Sequence, residues 1–136
     1  MKLSVKWLQE KSACSDGVKW FTDQKEDQAI PVLKALVADD KLDWANWLIV
    51  RVMTSPQYLA YAIYAAEQVL DIFEKKYPGD KRPRQAIEAA KAVLKHDTRA
   101  AREAAREAAG AAWEAAGDAM RTKILKYGIG LLAEKE

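Results

Sequence analysis

Ser55-Pro56-Gln57-Tyr58-Leu59-Ala60-Tyr61-Ala62-Ile63-Tyr64-Ala65-Ala66-Glu67-Gln68-Val69-Leu70-Asp71-Ile72-Phe73-Glu74-Lys75-Lys76-Tyr77 is the stretch that decides the fold class. Leu59, Ala62, Ile63, Ala66, Val69, Leu70 and Phe73 recur every three or four residues, which is one apolar stripe down a long helix. Ser55 is placed to cap that helix and Pro56 to open it, because a first turn leaves its N–H groups unpaired in any case. Pro78 ends it, since proline cannot continue the hydrogen-bond ladder.

The same period extends outward in both directions. After the charged turn Tyr77-Pro78-Gly79-Asp80-Lys81-Arg82-Pro83-Arg84, a helix from Pro83 to about Lys95 turns Ile87, Ala90 and Leu94 inward, onto the helix before it. Upstream, Leu42, Ala45, Leu48, Ile49 and Val52 form a buried stripe that Trp44 and Trp47 widen. A helix over Gln28 to Ala38 precedes it, with Pro31 in its first turn and Asp39-Asp40 as the break. Two short helices, Leu3 to Glu10 and Asp16 to Gln24, begin the chain. From Arg99 to Ala119 there are eleven alanines and two glycines, and alanine has the highest helix propensity. Ala101, Ala105, Ala108, Ala112, Ala115 and Ala119 line one side of this helix with almost no volume, so a neighbour can approach closely. Met120, Ile124, Tyr127 and Leu131 carry the stripe on, with Gly128 and Gly130 loosening the final turns. The expected architecture is all-α: one compact helical bundle of about six to eight helices. It comprises short N-terminal helices in 1–25, central helices in 28–96 and alanine-rich helices in 97–134.

Composition excludes several function classes. Of 136 residues half are apolar, enough for a hydrophobic core, and 22 basic against 20 acidic side chains leave a net charge of only +2. No apolar run approaches the roughly 20 residues that span a bilayer. The start Met1-Lys2-Leu3-Ser4-Val5 lacks a signal-peptide core, and Cys14 is the single cysteine. These features point to a cytoplasmic protein without disulfides. Cys14 has no evident activating partner, and His96 is the only histidine, so no familiar metal set can be assembled. A glycine-rich phosphate loop and a Gly-x-Ser-x-Gly turn are both missing. The expectation is a non-catalytic binding protein with no metal and no cofactor.

Three features are candidates for binding. Asp80, Arg82 and Arg84 stand at a helix N-terminus, where arginines either pair with carboxylates such as Glu74 or Glu88, or meet an anion. Arg51, Tyr58 and Tyr61 flank the Thr54-Ser55-Pro56 turn, and rings beside a guanidinium can hold a nucleobase and its phosphate. The series Lys91, Lys95, Arg99, Arg102 and Arg106 would form a basic ridge on an unbroken helix. His96-Asp97-Thr98 reads as a helix stop, however, and Glu103 and Glu107 interleave, so an ordinary solvated face is expected and nucleic acid is not.

The run from Ala60 through Asp80-Lys81-Arg82-Pro83-Arg84-Gln85-Ala86-Ile87, followed by an alanine-rich helix, resembles the putative immunity protein family. These are small helical proteins encoded beside bacterial toxin systems and in phage genomes. The resemblance spans roughly Trp44 to Leu132, and its specific part is Asp80-x-Arg82-Pro83-Arg84-x-Ala86-Ile87. It departs from relatives in the C-terminal alanine-rich helix, where Gly117-Asp118-Ala119-Met120-Arg121 stands without their histidines. The resemblance implies an immunity or counter-defence protein that neutralises a toxin or defence protein by stoichiometric binding. The alternative is a sponge for a small anionic, nucleotide-like ligand. A homodimer is a further expectation, because helices with small residues often pair across symmetric interfaces.

Overall fold

The computed structural model describes residues 1–93 and 99–134. Residues 94–98, with Leu94, Lys95 and the expected break at His96-Asp97-Thr98, lie outside the described residues, as do the side chains of Arg82, Ala90 and Ala101. Eight helices are described: α1 (Val5–Glu10), α2 (Ser15–Gln24), α3 (Ala29–Ala38), α4 (Leu42–Val52), α5 (Ser55–Lys76), α6 (Arg82–Val93), α7 (Arg99–Ala115) and α8 (Asp118–Ala133). The all-α expectation holds. The sole β-type pairing among the described residues is an isolated antiparallel bridge between Lys2 and Gln28. It pins the N-terminus beside α3 through Leu3 N–H to Asp27 C=O at 2.6 Å and Ala29 N–H to Met1 C=O at 2.9 Å.

The start of α5 lies one residue earlier than the sequence suggests. Thr54, and not Ser55, is the N-cap, because a reciprocal box forms with Gln57: Thr54 Oγ1 accepts from Gln57 N–H at 3.3 Å, and Gln57 Oε1 accepts from Thr54 N–H at 2.9 Å. The Gln57 amide then donates to Leu131 C=O at 3.3 Å, which accounts for a glutamine buried between α5 and α8.

α5 is the hub of the molecule, packed on α6, α7 and α8, and α8 also reaches α3 and α4. Leu33, Ile49, Tyr61, Ile124 and Leu125 are sealed in the main core. Ile63, Ala66, Leu70 and Ile87 form the α5–α6 seam expected from the stripe, and Leu59, Ala62 and Ala105 the α5–α7 seam.

The alanine-rich segment departs from its expected packing in two ways. It breaks after Ala115, and Gly117 becomes the N-cap of α8. The alanines that pack are Ala105, Ala112 and Ala116, with Ala108 and Ala109 half-buried; Ala115 and Ala119 face solvent. Gly128 does not loosen a turn. A Cβ built there would lie 2.6 Å from Ile49 Cδ1 and 2.7 Å from Tyr61 Cε1, so its missing side chain is what lets α8 cross α4 and α5.

Two indole N–H groups find carboxylate partners, as their amphipathic chemistry favours. Trp20 Nε1 donates to Asp39 Oδ2 at 2.9 Å, and Trp113 Nε1 to Asp43 Oδ1 at 2.8 Å. Tyr64 and Tyr127 stack at 3.9 Å between α5 and α8. Cys14 is exposed at the N-cap of α2. No described helix is long and apolar enough to cross a membrane.

Candidate functional site

The candidate residues divide between the two ends of α5, roughly 27 Å apart at 1.5 Å per residue from Tyr58 to Lys76.

At the C-terminal end, the turn from Tyr77 to Lys81 joins α5 to α6. Asp80 N–H donates to Tyr77 C=O at 3.1 Å, and Gln85 N–H to Lys81 C=O at 2.9 Å. Lys81 therefore occupies the cap position, with Arg82 and Pro83 as the first two helical residues. Arg84 grips Glu74 with two parallel bonds, Nε to Oε2 at 3.0 Å and Nη2 to Oε1 at 2.6 Å. This fork clamps α6 onto α5. It holds the Glu74 carboxyl below its ordinary value and raises the Arg84 guanidinium further above neutrality.

Beside that clamp an apolar trough of about 820 Å³ runs between α5, α6 and α7. Leu70, Ile87 and Ala112 are buried in it, while Lys76, Asp80 and Glu107 supply charge. Ile72 and Tyr77 line it too, with 54% and 50% of their surface exposed. Large apolar groups this open beside a concave apolar surface are uncommon on a surface that meets only water.

At the N-terminal end of α5 lies a cleft of about 610 Å³ with a different lining. Arg51 and Tyr58 meet there as the sequence suggests, joined by Lys11 from the end of α1 and Arg102 and Arg106 from α7. Among the described residues no Asp or Glu lines it. Arg51 is fixed in place: its Nη1 donates to Trp47 C=O at 2.7 Å, and its guanidinium lies 4.0 Å from the Trp47 ring centroid. Burial first, and then the like charge of Arg106, lower the Arg51 guanidinium from its usual value. Tyr58 is pushed up by burial, and the positive charge of the neighbouring Arg106 partly offsets this.

Tyr61 does not line this cleft. It is 1% exposed, its hydroxyl donates to Asn46 Oδ1 at 2.8 Å, and burial drives its phenol far above the usual value.

Arg102 and Arg106 were legible only as part of a ridge. The structure splits that series, pairing Arg99 with Glu103 at 3.4 Å and Lys91 with Glu67 at 3.5 Å, while Arg102 and Arg106 face the α4–α5 turn. Their spacing of four residues was the available signal, and Lys11 gave none because it reaches the cleft through tertiary packing alone. Among the described residues no three His, Cys, Asp or Glu side chains converge as metal ligands.

Neither a curated protein nor a solved structure matches the chain. A family model does match, over residues 51–127. The matched span starts at Arg51 and takes in α5, α6, α7 and most of α8, and so holds the clamp, the trough and every cleft arginine. The match covers more than half of the sequence and contains the Asp80-x-Arg82-Pro83-Arg84 turn, and on that ground the chain belongs to the Imm-5 like putative immunity protein family.

Proposed function

We propose that this chain is a non-catalytic cytoplasmic immunity protein that neutralises a toxin or defence protein by docking on it stoichiometrically, with the α5–α6–α7 trough as the docking face. The observation that carries this reading is the half-exposed pair Ile72 and Tyr77 lining an apolar trough that also carries Lys76, Asp80 and Glu107. An apolar centre with charged groups around it is the arrangement of protein–protein interfaces, and an aromatic such as Tyr77 is a common anchor there. The Arg84–Glu74 fork joins α5 and α6, two of the three helices that wall the trough.

The test is rescue of growth against the toxin that the wild-type chain suppresses, repeated with Ile72→Asp and Tyr77→Ala. Both side chains are exposed, so both variants should match the wild type in helicity and melting temperature. Loss of rescue and of co-purification with the toxin is the expected result. Full rescue by two well-folded variants would remove the trough as the docking face.

A second reading is sequestration of a small anionic, nucleotide-like ligand. Its specific support is the arginine cleft beside Tyr58. Nucleic acid is not proposed, because the outer basic residues are interleaved with and paired to carboxylates. A homodimer remains a proposal that light scattering would test.

A further inference from the structure

We propose that the element of the partner protein received by the α5–α6–α7 trough is an amphipathic α-helix of about three turns, with apolar residues every third or fourth position and a Lys or Arg facing Glu107. This rests on the docking reading and names the chemistry of what docks.

Two helices turn a row of side chains toward the same concavity. From α7 come Ala104, Ala108, Ala111 and Ala115, at steps of four, three and four; from α5 come Val69, Ile72, Phe73 and Lys76, at steps of three, one and three. These are the spacings with which one helix meets another. Both rows lie outside the seam of Leu59, Ala62 and Ala105 that joins α5 to α7, and Ala104, Ala111, Ala115 and Ile72 are exposed. The alanine row extends about 17 Å at 1.5 Å per residue, the length of a three-turn helix. Its methyl groups allow a neighbour to come close, while Ile72, Phe73 and Tyr77 on the opposite wall supply the volume that interlocks with its side chains.

The walls also select the backbone of the occupant. They are helices, whose main-chain groups bond within themselves, so the trough has no strand edge to pair with an extended segment. Such a segment would press unpaired N–H and C=O groups against alanine, isoleucine and phenylalanine. A helix arrives with those groups already bonded.

Charge fixes the register. Lys76 Nζ lies over the Tyr77 ring, 5.6 Å from its centroid, on the α5 side. On the α7 wall Glu107 is the one charged lining residue; it is exposed, and among the described residues it is in no ion pair. A cation in the docked helix complements it. A second copy of the chain fits less well. Outside the trough, the exposed large apolar side chains of the described residues are Met1, Val5 and Tyr127, on three separate elements, and they form no row.

The experiment is fluorescence anisotropy of the full chain with labelled, helix-stabilised peptides that carry leucine at every third or fourth position and one lysine moved through three successive turns. A peptide of the same composition with a central proline is the control. Helical peptides are expected to bind with micromolar affinity and to shift the methyl signals of Ile72, Ala108 and Ala111. One lysine register should bind about three- to fivefold tighter than the others, and Glu107→Gln should erase that preference. The proline peptide should bind more than about tenfold weaker.

Absence of binding in every register, equal affinity of the proline peptide, or shifts confined to other methyl groups would overturn the helix. So would light scattering that shows a dimer of the wild-type chain which Ile72→Asp converts to monomer, since a second copy would then fill the trough. If helical peptides bind as expected, yet Ile72→Asp still protects cells fully, the helix site stands and the docking reading falls. Should Ile72→Asp abolish protection while the proline peptide binds as tightly as the helical ones, the docking face stands and the helix falls.

Discussion

Tyr61 lies against Gly128 with no room for a methyl group between them: a Cβ on Gly128 would sit 2.7 Å from the Tyr61 ring. Helix propensity alone favours Gly128→Ala by about 1 kcal/mol. Overpacking a filled core costs about 1–3 kcal/mol, and it should win here because the Tyr61 ring is buried and tethered to Asn46. Gly128→Ala is therefore expected to lower the urea midpoint. Gly110, on the exposed side of α7, has nothing within 4 Å of a built Cβ, so Gly110→Ala should raise the midpoint by the equivalent of about 0.5–1 kcal/mol.

The Arg84–Glu74 fork predicts a pH-dependent contribution to stability. The hydrogen bonds and charge of Arg84 depress the Glu74 carboxyl below its ordinary value. A depressed carboxyl stabilises the fold above its unfolded value, and the contribution is lost as pH falls through the lower folded value. Arg84→Ala should melt slightly below the wild type at neutral pH, and the gap should close in acid. A gap that stays constant from neutral pH into acid would mean that the pair does not act as a charged clamp.

Asp43 accepts from Trp113 Nε1 at 2.8 Å and lies 3.8 Å from the Arg121 guanidinium, tying α4 to α7 and α8. Asp43→Ala strips the indole N–H of its partner at a site that water can reach, because the Asp43 side chain is exposed, and should cost about 0.5–1.5 kcal/mol in urea denaturation. Asp43→Asn keeps an acceptor oxygen and should cost less. Equal losses in the two variants would assign the effect to the charge contact with Arg121 instead.

Tyr61→Phe separates a core role from a binding role. Removing the hydroxyl leaves Asn46 Oδ1 without its donor and should cost about 1 kcal/mol of stability. Rescue of growth should match the wild type, since Tyr61 lines neither the trough nor the arginine cleft.

Periodicity in α5 and α4 made the all-α class and the inward residues readable, because Leu and Ile differ from Glu and Lys enough to mark a face. The packing face of α7 was not readable in the same way. In Ala104-Ala105-Arg106-Glu107-Ala108-Ala109-Gly110-Ala111-Ala112 several faces carry the same small residue, so the pattern has no unique phase. Contact with α5 selects Ala105 and Ala112, and the break after Ala115 turns Ala119 outward.

The candidate site divides along the same line. Arg84 and its carboxylate partner Glu74 were both identifiable, since they bracket one short turn and local chemistry pairs them. Tyr58 and Tyr61 are three residues apart on one helix, and nothing local says that one lines a cleft while the other is enclosed by Ile49 and Gly128. The sequence by itself determined the helices, their order and the turn that marks the family, because these depend on residues close together in the chain. Only the tertiary structure decided that Lys11, Arg51, Arg102 and Arg106 share one cleft, because residues 11 and 106 are brought together solely by burying the apolar faces of the helices that carry them.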